Sequence, residues 1–376
     1  MKAIILAGGH GKRLMPLTYT KPKPMLPLLD KPVLQYIVEG LAAQGFDEII
    51  VTTNYLREQV IDHFKDGEAF GVKMIYPVED KPLGTAGSVK NAEKYLDETF
   101  VVVQGDGIND INLKDVLSYH NAGNNLATIV LSSVDNPREY GVVELNSASE
   151  VVKFREKPKP EECFSNLVNT GLYILEPEVL KYVPSCKEYD FARDLFPSLL
   201  TLGEIRGYRA SDFWVDIGRP EKYMDAIHWA FEKRRTEQVS ELGVKKPAGI
   251  IFGEGAKIDA DARIEGQVLI KDGCCIGKGA VIEGYSVIDE DVEIADGARI
   301  VDSVIYQGSD IGRCSHVGRS IVAEECTIGD NVDIEESVVG AGCRIGDNTV
   351  LHPGSRIWPK LEIQAFSALR GIIQYL

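Results

Sequence analysis

"SVIYQGSDIGRCSHVGR" (Ser303–Arg319) is followed without a gap by "SIVAEECTIGDNVDIEE" (Ser320–Glu336), two seventeen-residue words that open on the same serine and two aliphatic residues. The same opening stands at Ser286-Val-Ile and Ser337-Val-Val. A shorter period runs beneath it: Ile258, Ile264, Ile270, Ile276, Ile282, Ile288, Ile294 and Ile300 recur every sixth residue. Steps of five then lead to Ile305, Ile311 and Val317, to Val322, Ile328 and Ile334, and to Val339, Ile345, Leu351 and Ile357. Six is neither the period of a helix nor one that a simple hairpin needs. It is the period of a β-solenoid in which each short strand turns one aliphatic side chain inward and three strands close a coil. Gly277, Gly284, Gly312, Gly329 and Gly346 are expected at corners that need positive φ.

This run resembles the hexapeptide-repeat, left-handed parallel β-helix. Upstream the texture changes. Lys2–Leu6, Glu48–Thr52, Lys73–Tyr76, Thr99–Gln104 and Ala127–Ser132 read as strands, and Pro32–Ala43, Leu56–Phe64 and Ala86–Leu96 as helices between them. The expectation is an α/β, Rossmann-like mixed sheet, mostly parallel, covered by helices on both faces, with ligands at the carboxyl ends of its strands. A charged helix over Pro220–Arg235 closes this part, giving a first domain at 1–233, a linker at 234–247 and the β-helix at 248–376. The apolar segment Ile363–Leu376 is expected to cap the last coil or to pack between subunits, so a homo-oligomer through the β-helix or this tail is the expected assembly.

Composition limits the functions available. The chain has 376 residues, 44% of them hydrophobic, and a formal net charge of −16. No apolar run approaches a membrane span, and Ala3–Ala7 is too short for a signal peptide, so a cytoplasmic protein without a membrane partner is expected. Seven cysteines with no metal-ligand ladder, the adjacent Cys274–Cys275 included, are expected to be reduced and mostly buried. Nucleic-acid binding is not expected of so acidic a chain.

Against that acidity stands a basic, glycine-rich loop after the first strand, "ILAGGHGKRLMPLTYTKPKPMLPL" (Ile5–Leu28). Gly8, Gly9 and Gly11 let a backbone approach a ligand closely, and successive N–H groups can converge on phosphate oxygens. Lys12, Arg13, Lys21 and Lys23 would repel one another without an anion, and a polyphosphate is the economical partner. Prolines 22 and 24 are expected to hold the lysines on a stiff extended strip. No Gly-Lys-Ser/Thr closes the loop as in an ATPase P-loop.

The words Gly8-Gly-x-Gly-x-Arg-Leu-x-Pro-Leu-Thr18 and Lys21-Pro-Lys-Pro-Met-Leu-Pro27 resemble the signature of sugar-1-phosphate nucleotidyltransferases. The likeness continues through Pro82-Leu-Gly-Thr-Ala-Gly87, Gly105-Asp106, Glu139-Tyr-Gly-Val-Val-Glu144, Glu156-Lys-Pro158, Asn169-Thr-Gly-Leu-Tyr173 and Trp214-Val-Asp-Ile-Gly218. Within the family it is nearest to the mannose-1-phosphate guanylyltransferases, which pair such a domain with such a repeat. The resemblance implies in-line attack of a sugar phosphate on the α-phosphorus of a nucleoside triphosphate, with pyrophosphate leaving. It implies Arg13 and Lys23 as catalytic cations, and Asp106 and Asp216 as catalytic carboxylates holding Mg2+. Nucleotide binding falls to Leu6, Ala7, Gly8, Gly9, Gly11, Lys12, Arg13, Glu79, Gly84 and Thr85, and sugar-phosphate binding to Lys23, Gly141, Glu156, Lys157, Asn169 and Thr170. Asp110 is a further carboxylate outside this set.

Glu79 bears on the base: a carboxylate only accepts, which suits the N1–H and N2–H₂ donors of guanine and favours GTP. The resemblance implies mannose 1-phosphate as the favoured acceptor. A uridylyl- or thymidylyltransferase acting on glucose 1-phosphate is an alternative. So is a bifunctional nucleotidyltransferase/acetyltransferase, for which His316 and His352 are the repeat's histidines, and so is a non-catalytic regulatory subunit, against which the presence of Arg13, Lys23, Asp106 and Asp216 argues.

Overall fold

The apolar word KAIIL forms β1 (Lys2–Leu6), buried along nearly its whole length, as a central parallel strand must be. After it come β2 (Glu48–Thr52), β3 (Lys73–Ile75), β4 (Phe100–Gln104), β5 (Gly107–Asn109) and β6 (Ala127–Ser133). The set is completed by β7 (Gly141–Leu145), β8 (Val151–Glu156), β9 (Leu167–Leu175), β10 (Ile205–Arg209) and β11 (Trp214–Asp216). This is a computed structural model describing residues 1–242 and 249–374, with side chains described to Arg234 and again from residue 249. It divides into two units: Met1–His10, Pro22–Met25 and Lys31–Ile217 in one, Gly11–Lys21, Leu26–Asp30 and Gly218–Leu376 in the other.

In the first unit the main sheet runs β8-β7-β9-β4-β1-β2-β3, with β6 on β9 and β10 on β6. β1 pairs in parallel with β2 and β4, and β2 with β3. Helices α1 (Val33–Ala43), α2 (Arg57–Phe64) and α3 (Gly84–Asn91) stand between these strands in sequence. The sheet is mixed, and less parallel than expected, because β9 runs antiparallel to β4, β6 and β7, and β7 to β8. The cause is local. Between β7 and β8 the chain turns within Asn146–Glu150, and a connection that short joins antiparallel neighbours only. α3 starts two residues earlier than expected and stops at Asn91, with a 3-10 turn at Glu93–Tyr95 after it. The lysine-proline segment is no extended strip: Lys23–Met25 is a 3-10 turn, with Met25 N–H donating to Pro22 O at 2.8 Å. Proline's fixed φ near −65° suits such a turn as well as an extended strand.

In the second unit, α4 (Pro220–Leu242) extends seven residues beyond the expected end, into the expected linker; 243–248 lie outside the described residues. The solenoid follows. Ile258, Ile276, Ile294, Ile311, Ile328, Ile345 and Ile363 are successive partners in a seven-stranded parallel sheet, so every third member of the aliphatic series stacks in one column. From Ile270 to Ile357 the series forms one continuous buried core, each fully buried member contributing about 2 kcal/mol, while Ile264 packs against it partly buried and Ile258, at the open end, is exposed. The seventeen-residue serines have a separate role. Ser286, Ser303, Ser320 and Ser337 are buried, and the hydroxyls of the first three accept the N–H of the serine one coil on, at 3.3, 3.0 and 2.9 Å.

Three expectations change here. Of the five corner glycines only Gly284 has positive φ; Gly312 instead lies where a Cβ would meet Gly329 O at 2.3 Å, and Gly346 where it would meet Ala365 N at 2.4 Å. They are small because the next coil's backbone passes over them, while left-handed φ recurs at other corners, in one column at Gly279, Gly297, Cys314, Asn331, Asn348 and Phe366 and in two more that run through Gly273, Asp291 and Gly308 and through Gly284, Asp302 and Arg319. Of seven free cysteines only Cys274, Cys326 and Cys343 are buried. Finally, Ile363, Leu369 and Ile373 build the last coil themselves, packing on the core while Phe366 and Ile372 are exposed.

Candidate active site

β1 and β4 end side by side, Leu6 opposite Gln104. Gly105 N–H donates to Leu6 O at 2.9 Å, and a Cβ on Gly105 would stand 3.0 Å from that oxygen, so the two turns are pressed together. Ala7 is buried and bonded to Thr52 O; Gly8 and Gly9, immediately after, are exposed. A Cβ on Gly8 would meet only Asn54 N at 3.9 Å, one on Gly9 would meet nothing within 4 Å, and neither has positive φ. Nothing in the protein itself requires glycine at Gly9.

Gly105 also aims Asp106. β5, which follows, pairs antiparallel with β11 so that Asp216 stands opposite Gly107, and Ile217 N–H closes the ladder on Asp106 O at 3.1 Å. The two carboxylates converge on one ammonium: Lys23 Nζ bonds Asp106 Oδ2 and lies 3.0 Å from Asp216 Oδ1. Lys23 is buried, while Asp106 and Asp216 are 30% and 24% exposed, so the cluster opens to solvent on its carboxylate side. Burial alone pulls Lys23 towards neutrality, but the charges and hydrogen bonds of the two aspartates outweigh it and its pKa moves up. The ammonium stays charged.

A second group forms beside β7, β8 and β9. Gly141 pairs with Glu156, and a Cβ on it would stand 2.9 Å from Glu156 Oε2 and 3.4 Å from Asn169 Cβ, so these three expected sugar-site residues are neighbours. Lys157 is exposed, with Nζ 3.6 Å from Glu156 Oε1. Burial pushes Glu156 up. Asn169 donates to Tyr173 OH at 3.0 Å, and the Thr170 hydroxyl is engaged within the sheet, donating to Val130 O at 2.8 Å. Trp214 Nε1 donates to Thr170 O at 3.1 Å, tying β9, whose register shifts between Asn169 and Tyr173, to the strand that ends in Asp216.

Glu79 has a buried carboxylate oxygen, Oε1, with no hydrogen-bond partner. Burial raises its pKa above the ordinary 4.5, opposed by a hydrogen bond with Ser88. A carboxyl raised in the folded state favours folding below its unfolded value, and that contribution is lost as pH rises through the folded value. Glu79→Gln is therefore expected to melt at a higher temperature than the parent at pH 7, by about a degree, and to match it near pH 4; thermal melts across that range check the sign. At the other expected nucleotide positions the protein has uses of its own. Gly84 has positive φ and a Cβ there would meet Tyr189 O at 2.7 Å; the Thr85 hydroxyl donates to Asp190 Oδ2 at 2.8 Å. Asp190 was not among the expected residues, although an aspartate just before Phe191 reads as a cap, and it does accept from Ala192 and Arg193 N–H.

Gly11, Lys12 and Arg13 belong to the second unit. Gly11 is left-handed, and its carbonyl accepts from Leu14 N–H and the Thr18 hydroxyl at 2.8 and 2.9 Å, which shapes a 3-10 turn carrying exposed Lys12 and Arg13. Lys21 is ion-paired with Glu324. Two of the four loop cations, Lys21 and Lys23, are thus met by carboxylates of the chain rather than waiting for an anion. In the solenoid His316 pairs with Glu335 at 3.2 Å and His352 is exposed. Among the described residues no three or more His, Cys, Asp or Glu gather as a metal site, and no helix is long and apolar enough to cross a membrane.

A glycine loop and an ammonium held by two aspartates thus stand at the carboxyl ends of two neighbouring parallel strands, where open α/β sheets bind their ligands. The family model described as Nucleotidyl transferase matches residues 2–232, and that of the GMPPB C-terminal domain residues 264–373. UTP–glucose-1-phosphate uridylyltransferase of Synechocystis is 37% identical over 331 residues, covering 83% of this chain and 84% of that protein. Mannose-1-phosphate guanylyltransferase of Mycobacterium tuberculosis is 33% identical over 73% of this chain and 82% of its own. Among solved structures, HddC from Yersinia pseudotuberculosis complexed with GMP-PN matches 61% of this chain and 98% of its own with a TM-score of 0.53 and 29% identity. The chain belongs to the sugar-1-phosphate nucleotidyltransferase family.

Proposed function

We propose that this protein transfers a guanylyl group from GTP to mannose 1-phosphate, releasing pyrophosphate. The observation that carries the phosphate chemistry is Lys23 between Asp106 and Asp216, beside a pair of glycines the fold itself does not need. Support for guanine comes from Glu79, whose buried, unpartnered oxygen is an acceptor suited to the paired donors of that base.

The reaction needs two anions brought together and the charge developing on pyrophosphate stabilised. The backbone of Gly8 and Gly9 lies against the triphosphate, and Arg13 spans two of its oxygens with its planar fork. Lys23 meets the α-phosphate and the incoming sugar phosphate as a compact charge, and Lys157 adds a second charge at the sugar phosphate. Glu156 and Asn169 bond sugar hydroxyls, and Gly141 lets the two side chains pack together. Two carboxylates opening to solvent on one side suit Mg2+, which takes one or two carboxylates with phosphate oxygens and water; Asp106 and Asp216 would hold it. When bound, it supplies Lewis-acid stabilisation of phosphoryl oxygens.

The test is pyrophosphate release with magnesium over GTP, UTP, dTTP, CTP and ATP, each against mannose 1-phosphate and glucose 1-phosphate. GTP with mannose 1-phosphate is the expected best pair. The 37% identity to the Synechocystis uridylyltransferase makes UTP with glucose 1-phosphate the competing outcome, one that would overturn the Glu79 argument and leave the phosphate site standing.

A further inference from the structure

In the second unit Arg356 departs from the repeat around it. At the start of the strand Arg356–Ile357, the corresponding positions in the coils before it are Val304, Ile321 and Val338, all buried, and in the coil after it Ile372. An aliphatic column interrupted by an arginine violates the local rule of the solenoid, and such violations mark functional positions. Arg356 Nη1 donates to Arg13 O at 2.7 Å and to Met15 O at 3.3 Å. Both acceptors are main-chain carbonyls of the 3-10 turn that presents Arg13.

The other end of the same segment is held as well. Lys21 is ion-paired with Glu324, and its ammonium lies 5.5 Å from the centre of the Tyr306 ring. Tyr306 OH in turn meets Tyr223 OH at 2.8 Å, and Tyr223 OH donates to Pro27 O. Burial raises the pKa of both phenols, keeping their donor protons in place. Residues 13–21 and Pro27, all of the second unit, are therefore tied to the solenoid and α4 at three points.

We propose that Arg356 is a positioning residue for nucleotidyl transfer: it fixes the main chain on which the Arg13 guanidinium is carried, so that the solenoid acts on the reaction through the signature loop. This rests on the reading of Arg13 as a triphosphate ligand. It assigns the repeat domain a part in turnover beyond assembly. Arg356 also lines a cavity of about 650 Å³ with Met224, His228 and Val338, so shortening it widens an existing space and leaves the packed column intact.

The experiment compares Arg356→Ala, Arg356→Lys and, as a control on another face, Arg344→Ala, in the full-length protein. Two readouts are taken, steady-state kinetics and amide hydrogen exchange over residues 11–19. Arg356→Ala is expected to speed exchange in that segment and to lower kcat about tenfold, with KM for the sugar phosphate within about twofold and melting unchanged. Arg356→Lys recovers part of both effects, since an ammonium can still donate to one carbonyl; Arg344→Ala shows neither. Unchanged exchange in Arg356→Ala, unchanged kcat, or an equal loss in Arg344→Ala would each overturn the proposal. A parent enzyme silent with every substrate pair would instead sink the functional reading, and the kinetic half of this proposal with it, while the exchange rates still decide whether Arg356 holds the segment.

Discussion

Lys23→Ala is expected to lower kcat/KM by about a thousandfold or more, the scale on which a single charge aimed at a transition-state oxygen acts. The side chain is buried, so no exposed neighbour can swing in to replace it. The same change removes the cation between Asp106 and Asp216 and leaves two carboxylates facing each other. Breaking a fully buried pair costs about 3–5 kcal/mol. Here the carboxylates are 24–30% exposed and water screens part of that, so a loss nearer 2 kcal/mol is expected. A divalent cation would then relieve the variant more than the parent, so magnesium should raise the melting temperature of Lys23→Ala by more than that of wild type. Activity within tenfold of the parent would mean that the ammonium serves the fold and never meets the reacting phosphate.

Gly9→Val separates fold from ligand in the opposite way. No atom stands within 4 Å of the position a Cβ would take, and the backbone is not left-handed, so the substituted protein should melt within about 0.5 kcal/mol of the parent. If the backbone there lies against a triphosphate, the added branches fill the ligand's space, and KM for the nucleotide should rise about a hundredfold, roughly 2.7 kcal/mol. Gly84→Ala is the built-in contrast. That residue has φ of +70° and Tyr189 O stands 2.7 Å from the would-be Cβ, so stability should fall by about 1–3 kcal/mol before any effect on substrate is considered. Denaturant melts alongside nucleotide titrations distinguish the two. A Gly9→Val protein with unaltered nucleotide KM would remove the glycine pair from the binding site.

Much of the fold was legible because its signals are local and repeated. β1 and β2 stand where the apolar runs Lys2–Leu6 and Glu48–Thr52 place them, since a strand buried on both faces must be apolar throughout. The aliphatic series became the solenoid core because a side chain at every sixth position has only the interior to occupy. The glycines misled. Gly312 and Gly346 look like corner residues in sequence, yet they are small because a neighbouring coil's backbone lies 2.3–2.4 Å from where a Cβ would be, a close approach that no local pattern encodes. The sugar-site words were legible only as words; that Gly141, Glu156 and Asn169 adjoin depends on the β7–β8 hairpin and on β9 lying beside β7.

By itself the sequence determined that there are two textures, an α/β part and a six-residue repeat, and that a glycine-rich basic loop follows the first strand. These are statements about period and composition, which short-range sterics and burial impose on any chain of this pattern. Only the tertiary structure decided where the charges go. Lys23 finds Asp106 and Asp216, 83 and 193 residues away, and Lys21 finds Glu324 across 303 residues. Charge pairing depends on which carboxylates the fold carries to within a few ångströms, and a chain of one sign excess offers each lysine many candidates. The basic loop of an acidic protein is therefore answered twice, at Lys23 and at Lys21, by residues its own sequence neighbourhood does not contain.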